Sequence, residues 1–595
     1  MSANYAIGID LGTTNCVLAW TDLHVEQPEI HLLPIPQLVA AGTVEQRSSL
    51  PSFLYLGTEA DASAGTWSLP WNQGSSFAVG EAARRQSAEI PQRTICAAKS
   101  WLCYSHVDRH GPILPWNTPD DVQKISPVEA SRLYLQHLVS AWTERFPDAP
   151  ICEQQVVLTV PASFDASARE LTREAALAAG LPETLVLIEE PQAATYAWLD
   201  DQRDVWRKQL RAGHQLLVCD VGGGTTDLTL VDVTDDAGEL QLQRRAVGNH
   251  LLVGGDNMDL ALAFHVSELF RQQKQIELNP WQSVSLWHAC RAAKEALLAE
   301  DGPETWPVAV PGRGSRLIGG TIAVDVNRQA VQDLLVNGFF GSCSLQDRPV
   351  RQRSSGFREL GLPFETDTLV TRHLAAFLSS HGDQQTTAQP THVLFNGGVF
   401  KSAALRNQLL QQLSTWFQSP PIELCGERDL DYAVARGAAH YAWTKHNGGL
   451  RIRGGTARSY YIGVETAGLA IPGAPRPLHA LCVVPHGMEE GTRADIAGGG
   501  IGLILGEPAR FRFFSSAVRR DQPGTRLQSW TDDELQETDS LETELTQIDG
   551  LDEDYVPVRF ESVISELGVL ELWCVHTDSN ARWKFEFSVR DDAQA

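Results

Sequence analysis

The feature that most constrains this chain is a motif that occurs twice, about 210 residues apart. Residues 7–19 read IGIDLGTTNCVLA, and residues 216–230 read LLVCDVGGGTTDLTL. When Asp10 is aligned with Asp220, each copy is an apolar run, an aspartate, a glycine turn, two threonines and a second apolar run. This pattern predicts a β-hairpin whose turn carries glycines, hydroxyls and a carboxylate. Two such hairpins indicate two similar α/β lobes that face one cleft.

The segments after each hairpin alternate between strand and helix patterns. After the first hairpin, the sequence predicts strands over 154–160 and 185–189 and helices over 165–180 and 191–199, with Asp165 as a helix N-cap and Gly180 as a helix stop. After the second hairpin, it predicts helical structure over most of 256–300 and over 402–416 and 431–444, and a strand over 391–395. Such alternation is typical of an α/β fold.

The character of the sequence changes after residue 446. Residues 447–458 are rich in glycine and arginine and are predicted to form a linker. Residues 459–595 contain short β-type runs separated by turn signals, which predict a small β-sandwich-like domain without a helical lid. Residues 531–595 hold 18 acidic and 4 basic residues, and their strand patterns indicate a negatively charged folded face.

Composition limits the classes of partner. The 595-residue chain has a formal net charge of −26, which argues against binding to nucleic acid or to an acidic membrane surface. Its ten cysteines are scattered without a C-x-x-C pair, so no zinc site or disulfide framework is expected. No signal peptide pattern and no apolar run long enough to span a membrane occur, which predicts a cytoplasmic protein.

Glycine turns next to hydroxyls and carboxylates suggest binding of a metal-bound nucleotide. Glycines let backbone N–H groups approach an anion closely. A carboxylate beside such a turn would repel phosphate unless a divalent cation lies between them, and Mg²⁺ usually keeps several of its waters. One copy of the motif would be explained better as a plain tight turn, but two matching copies favour the nucleotide. Neither a P-loop nor a dinucleotide-binding fingerprint is present.

Seven segments together resemble the heat shock protein 70 family, the DnaK-type chaperones. The resemblance covers residues 5–445 in good order and residues 456–590 more weakly. The segments are IDLGTTNC (9–16), TVPASFDASAR (159–169), EEPQAA (189–194), CDVGGGTTDLT (219–229), GGDNMD (254–259), AAK (292–294) and DYAVARGAA (431–439). The resemblance implies an actin-like ATPase of two lobes over residues 1–446, followed by the 447–458 linker and a substrate- or partner-binding domain over 459–595.

The resemblance also implies a set of site residues. Lys99 matches the family's catalytic lysine, and Asp220, Thr225 and Asp227 would act with it near the γ-phosphate. Asp10, Glu190 and Asp220 would hold Mg²⁺ through water. Pro161 and Arg169 match the pair that relays the nucleotide state outward. The nucleotide itself would be bound by Asp10, Gly12, Thr13, Thr14, Glu190, Gly222, Gly223, Gly224, Lys294, Gly397, Gly398, Lys401 and Asp431.

The adenosine side departs from the family pattern. The family places a glutamate, an arginine and a serine around the ribose and adenine, where this chain has Arg291, Glu295 and Leu298. The family's adenine-stacking arginine is replaced by Lys401, which is not a conservative exchange at a stacked site. Phe400 is a candidate to stack on the base instead. Asp431 could alternatively be the N-cap of the helix that follows it.

The linker departs as well. The family's short leucine run, which docks on the ATPase domain, is replaced by a segment whose only large apolar residues are Leu450 and Ile452. We therefore expect weak or absent docking of this linker, and a change in partner affinity on ATP binding below about fivefold, near 1 kcal/mol.

Three functions are open at this point. The first is a divergent chaperone that hydrolyses ATP slowly and binds unfolded or extended polypeptide in its β-domain. The second is a regulatory or scaffold protein that uses the nucleotide as a switch to hold one dedicated protein partner. The third, a small-molecule kinase of the same superfamily, does not account for the β-domain. The resemblance further implies ATP or ADP with Mg²⁺, K⁺ as a possible additional ion, and a J-domain co-chaperone and a nucleotide exchange factor as partners.

Overall fold

The computed structural model describes residues 3–588 except for fifteen short stretches. The stretches outside the description are 105–106, 117, 119–121, 237–238, 250, 313–320, 351–364, 383–385, 427–428, 466–477, 497–500, 533, 546–554, 566 and 580. Parts of the predicted acidic face, 546–554 and 589–595, therefore lie outside the described residues.

The elements follow the chain in three groups. The first group contains strands β1 (Tyr5–Leu11), β2 (Asn15–Asp22), β3 (His31–Leu32), β4 (Ile35–Ala40), β5 (Thr43–Arg47), β6 (Leu50–Pro51), β7 (Leu54–Leu56), β8 (Phe77–Val79), β9 (Thr94–Ile95), β10 (Gln155–Val160) and β11 (Val186–Glu189), and helices α1 (Glu59–Ala64), α2 (Glu81–Glu89), α3 (Ala98–Leu102), α4 (Pro127–Arg145), α5 (Ala166–Ala178), α6 (Glu190–Gln202) and α7 (Trp206–Gln209). The second group contains strands β12 (Gln215–Val221), β13 (Thr226–Asp236), β14 (Glu239–Val247), β15 (Thr305–Pro311), β16 (Thr321–Asn327), β17 (His392–Asn396), β18 (Ile422–Leu424) and β19 (Ile452–Arg453), and helices α8 (Gly255–Leu269), α9 (Pro280–Leu298), α10 (Arg328–Phe340), α11 (Val370–Ser380), α12 (Ala403–Phe417) and α13 (Ala433–Asn447). The third group contains only strands among its described residues: β20 (Ser459–Glu465), β21 (Leu478–Val484), β22 (Thr492–Ile496), β23 (Gly502–Ile504), β24 (Pro508–Ser516), β25 (Arg526–Leu527), β26 (Gln536–Glu544), β27 (Tyr555–Ile564), β28 (Leu570–His576), β29 (Arg582–Lys584) and β30 (Glu586–Ser588).

The two predicted hairpins form the centres of two sheets with the same strand order. The sheet of the first lobe runs β11-β10-β1-β2-β3, and the sheet of the second lobe runs β18-β17-β12-β13-β14-β19. In each, the hairpin is antiparallel, and its first strand pairs in parallel with a later strand, β1 with β10 and β12 with β17. The internal repeat in the sequence therefore corresponds to a repeat in topology.

Local signals explain several boundaries. Asp165 is the N-cap of α5, and its carboxylate accepts a hydrogen bond from the Ala168 backbone N–H, as predicted. Asp431 is not a cap, and that alternative was wrong. Instead, Asp429 caps a 3₁₀ turn over Leu430–Tyr432, and α13 begins at Ala433. The sequence reasoning did not single out α4, although Ser126 caps it and Pro127 occupies its first turn.

The linker docks on the second lobe, which contradicts the expectation of weak docking. β19 extends the second sheet, with Leu242 opposite Ile452 and Gln243 opposite Arg453. The Ile452 backbone N–H donates to the Tyr196 hydroxyl at 2.9 Å. Gly455 has φ +53°, and a Cβ there would lie 2.3 Å from the Gly487 carbonyl. The expectation counted only the apolar side chains of the linker. In the structure Ile452 is buried, and the linker backbone also pairs with β14 and bonds to the side chains of Tyr196 and Arg244.

The β-rich group consists of two sheets around one apolar core. One sheet has the order β25-β21-β20-β24-β26-β30, and the other contains β22, β27, β28 and β29, with β23 paired to β27. Leu481, Phe513, Phe560 and Trp583, which come from both sheets, are buried in the same cluster. The group contacts the first lobe at the free edge of its sheet, where the Leu187 N–H donates to the Leu567 carbonyl at 3.1 Å.

No helix in the described part of the chain is both long enough and apolar enough to cross a membrane.

Candidate functional site

The turns of the two hairpins face each other across the cleft between the lobes. A Cβ on Gly223 would lie 2.0 Å from the Thr14 Oγ1, and one on Gly224 would lie 3.1 Å from the Thr13 Cγ2. Only glycine allows the two loops to approach this closely. The Ser52 hydroxyl steadies the first turn by donating to the Gly12 carbonyl at 2.6 Å. In the second turn, the Gly222 N–H donates to the Thr225 carbonyl at 2.9 Å.

One carboxylate stands at the base of each turn. Asp10 accepts a hydrogen bond from the Thr159 hydroxyl at 3.1 Å, and Asp220 accepts one from the Asn396 side-chain amide at 2.7 Å. Burial raises the pKa of Asp10 to about 7, with Lys99 opposing the shift and Glu190 adding to it. Burial and the charge of Glu190 raise the pKa of Asp220 well above its ordinary value. The two aspartates occupy equivalent places in the two lobes.

Lys99 and Glu190 form a buried ion pair beside these aspartates. Lys99 is carried by the five-residue helix α3, and Glu190 opens α6. Burial lowers the pKa of Lys99, but the charges of Glu190 and Asp10 more than compensate and raise it. Burial raises the pKa of Glu190, Lys99 opposes this and Asp227 adds to it.

Asp227 completes a group of four carboxylates around one lysine. Burial raises its pKa, although a hydrogen bond from the Ser163 side chain opposes the shift. Its Oδ1 is buried without a hydrogen-bond partner. Four acidic groups near a single ammonium leave an excess of negative charge, which is unfavourable in a buried site unless another cation joins it.

The donor set therefore fits a hydrated divalent cation. All members are hard carboxylate oxygens, which are the ligands that Mg²⁺ prefers. Among the described residues, no group of three or more His, Cys, Asp or Glu side chains is arranged to ligate an ion directly.

The remaining predicted residues line the second-lobe side of the cleft. Lys294, on α9, donates to the Gly255 carbonyl at 2.9 Å and pairs with Asp259 at 2.6 Å. Gly397 and Gly398 follow β17, directly after Asn396. Asn396 was missed by the sequence reasoning, and its position between a buried strand and a glycine turn was the available signal.

The side chains on the predicted adenosine side are paired with one another. Lys401 is 44% exposed and pairs with Asp429 at 3.0 Å and with Asp431. Arg291 pairs with Asp256 and with Asp259 at 2.8 Å. Phe400 is fully buried among Phe395 and Phe340 in the core of the second lobe, so the suggestion that it stacks on the base was wrong. Glu295 is exposed, and Leu298 is buried in the same core.

A second ionic group, which we name the interlobe bridge, consists of Arg169, Glu189 and Arg244. Glu189 accepts from Arg169 at 2.7 Å and from Arg244, which comes from β14 of the other lobe. Arg244 also donates to the linker carbonyls of Gly454, at 2.9 Å, and Gly455. Burial would raise the pKa of Glu189, but the two arginines outweigh it and hold the pKa below its ordinary value. Sequence reasoning named Arg169 alone, because Glu189 and Arg244 belong to no phosphate motif.

Comparison with known proteins finds similarity to the Hsp70 family model and to several proteins named Chaperone protein DnaK. Residues 69–335 match the family model described as Hsp70 protein. The chain is 32% identical over 276 residues to a protein of Thermotoga neapolitana named Chaperone protein DnaK, which is 46% of this chain and 38% of that protein. Proteins of the same name from Thermosipho melanesiensis and Cenarchaeum symbiosum are each 29% identical, over 275 and 290 residues.

These alignments span less than two fifths of the length of each relative. The matched region includes Lys99, Glu190, Asp220 and the second glycine turn, so the shared sequence and the cleft geometry concern the same part of the molecule. On this evidence residues 69–335 of this chain are similar to the heat shock protein 70 family.

Proposed function

We propose that this chain is a chaperone-like ATPase that binds Mg-ATP between its lobes, hydrolyses it slowly and binds unfolded or extended polypeptide through residues 459–595. The observation that carries the proposal is the meeting of two equivalent hairpin turns over a group of carboxylates with excess negative charge. A plain tight turn needs neither a second copy nor buried acidic groups. The identical order of the core strands in the two sheets supports the actin-like assignment of this region.

The roles of the residues follow from their positions. Backbone N–H groups of the two glycine turns, with the hydroxyls of Thr13, Thr14 and Thr225, are placed to bind phosphate oxygens. Mg²⁺, when bound, would neutralise charge on the β- and γ-phosphates. Asp10, Glu190 and Asp220 would orient the waters of that ion.

Lys99 and Asp227 would act on the attacking water. The ammonium of Lys99 lies inside a buried, carboxylate-lined site, where a fixed positive charge is effective in stabilising developing negative charge. The buried Oδ1 of Asp227, which lacks a partner in the structure, is an acceptor available to a water proton. Phosphoryl transfer depends mainly on such positioning and charge stabilisation.

The docked linker favours a chaperone cycle over an uncoupled scaffold. Glu190 binds Lys99 at the nucleotide site, and its chain neighbour Glu189 binds Arg244, which grips the linker. A movement of the first turn of α6 would therefore reach both the cleft and the linker. The nucleotide-switched scaffold remains the alternative if this connection does not change polypeptide affinity.

Isothermal titration with ADP and with ATP, each with and without Mg²⁺, tests the nucleotide site. We expect binding that requires Mg²⁺, and Mg-independent or absent binding would contradict the proposal. Anisotropy of labelled unfolded peptides with saturating ATP and then ADP tests the second half. A difference in peptide affinity of tenfold or more between the ATP and ADP states supports the chaperone. Peptide affinity that is the same in both states would favour the scaffold.

A further inference from the structure

A fully buried arginine, Arg109, lies in the first lobe outside the residues described so far. Arg109 is 0% exposed, although arginine is rarely buried without a specific reason. It lies in the segment between α3 and α4 and belongs to none of the motifs on which the family resemblance rests. Its guanidinium donates from Nη1 to the Leu102 carbonyl at 2.8 Å and from Nη2 to the Ser167 hydroxyl at 2.8 Å.

The first of these partners is the C-terminal residue of α3, the helix that carries Lys99. α3 has only five residues, all of them buried, and it begins after Ala97, which has φ +57°. A helix of this length does not form by itself, and its terminal carbonyls need partners. A positive charge at the helix C-terminus also interacts favourably with its dipole. Arg109 provides the partner and the charge together.

The second partner lies in the first turn of α5. Ser167 is 2% exposed, and two residues later Arg169 holds Glu189, the neighbour of Glu190. Arg109 therefore connects the helix of Lys99 to the helix that positions the start of α6. One of the connections between the two elements that form the Lys99–Glu190 pair therefore runs through the Arg109 side chain.

We propose that Arg109 is a positioning residue that holds Lys99 in its reactive place, an inference that rests on the proposed ATPase function. The planar guanidinium can bond both helices at once, which a lysine ammonium does less well. Without Arg109, the C-terminus of α3 loses its hydrogen-bond partner, and Lys99 shifts relative to the glycine turns of the two hairpins. Displacements near 1 Å at a catalytic group can reduce rates about 100-fold.

The test is a double-mutant cycle in the full chain. Arg109→Met should lower turnover at saturating Mg-ATP by about 10- to 100-fold, with ADP affinity changed less than about twofold, since the phosphate turns keep their contacts. In a Lys99→Ala background, Arg109→Met should cost nothing further. Arg109→Lys should recover part of the rate, and Arg132→Met, in a partly buried ion pair within α4, is the matched control. If Arg109→Met lowers turnover by the same factor in the Lys99→Ala background as in the unmodified chain, Arg109 has a merely structural role. A parallel loss of ADP affinity would show the same.

Hydrogen exchange over residues 95–104 gives a readout that does not depend on turnover. Exchange there should be faster in Arg109→Met and, to a smaller extent, in Ser167→Ala. The Ser167→Ala variant replaces Arg109→Met in this test if Arg109→Met does not fold. Unchanged protection of this segment in both variants, or in Ser167→Ala alone if Arg109→Met does not fold, would overturn the proposal. If the unmodified chain hydrolyses no ATP, the proposed function fails, and the exchange measurement still decides whether Arg109 holds α3.

Discussion

Glu189 and Glu190 are neighbours in the chain, and both are buried. The charges around Glu189 are mainly positive, whereas those around Glu190 are mainly negative. Glu189 lies between Arg169 and Arg244, and its pKa is held below its ordinary value. Glu190 has Lys99 as its cationic partner and shares it with the other acidic groups of the cleft, so its pKa is raised. In the interlobe bridge two arginines face one carboxylate, whereas in the cleft one lysine faces four carboxylates.

This difference separates a structural ion pair from a binding site. A buried carboxylate with enough positive partners stays ionised and fixes the elements that supply them. A group of carboxylates with too few partners is unfavourable in the free protein and favourable with a bound cation. The comparison therefore predicts opposite responses of the two glutamates to mutation, metal and pH.

The largest effect is expected from removing the ammonium that Glu190 binds. Lys99→Ala should lower ATP turnover by about 10²–10³, because it removes a preorganised positive charge near the γ-phosphate, while ADP binding is retained. A sensitive phosphate-release assay measures the turnover. Lys208→Ala, at an exposed position of α7, is the control. Turnover equal to that of the control would exclude Lys99 from catalysis.

The second effect distinguishes the two glutamates directly. Glu189→Gln should lower the free energy of unfolding by about 3 kcal/mol, because the buried Arg244 and the partly buried Arg169 lose their anionic partner. Glu190→Gln should cost less stability and should weaken the Mg²⁺ requirement of nucleotide binding, which Glu189→Gln leaves intact. Denaturant unfolding and titration with Mg²⁺ measure the two properties. If both variants lower stability equally, or both change the Mg²⁺ requirement, the proposed difference between the two glutamates is wrong.

The third prediction concerns the equivalent aspartates of the two lobes. Asp10→Asn and Asp220→Asn should each raise the Mg²⁺ concentration needed for half-maximal turnover by about 10- to 100-fold, because under the proposed function each carboxylate would orient waters of the ion. The measurement is turnover against Mg²⁺ concentration. Retention of the normal Mg²⁺ dependence in the double variant would contradict the assignment.

The smallest effect is a pH dependence. The folded pKa of Asp10 lies near 7, above its value in the unfolded chain, so the metal-free protein binds an extra proton on folding and loses stability as pH rises from about 4 to 7. Mg²⁺ needs the ionised carboxylate, so its affinity should fall about fivefold between pH 7 and pH 6. Calorimetry at several pH values measures both trends, and Asp10→Asn should flatten them. A pH-independent Mg²⁺ affinity would show that Asp10 is already ionised at pH 6.

Local patterns sufficed for much of the fold, including the two hairpins whose turns meet in the cleft. The two Asp-Gly-Thr hairpins, the N-cap at Asp165 and the proline at the start of α6 are signals within a few residues of each other, because hairpins and helix ends are governed by local backbone chemistry. The repeat also indicated two lobes. The structure gives the two sheets the same order of five equivalent strands, which join segments far apart in the chain.

Only the tertiary structure decided the contacts between distant segments. Phe400 lies in a core instead of the cleft, and the linker pairs with β14 through its backbone although its side chains gave little reason to expect docking. Arg244 and Arg109 look like ordinary arginines in the sequence, and each becomes a bridge because folding buries it next to acceptors from other elements. Burial removes the water that would otherwise solvate a charge, so the partners that replace that water are chosen by the packing of the whole chain and not by the neighbouring residues.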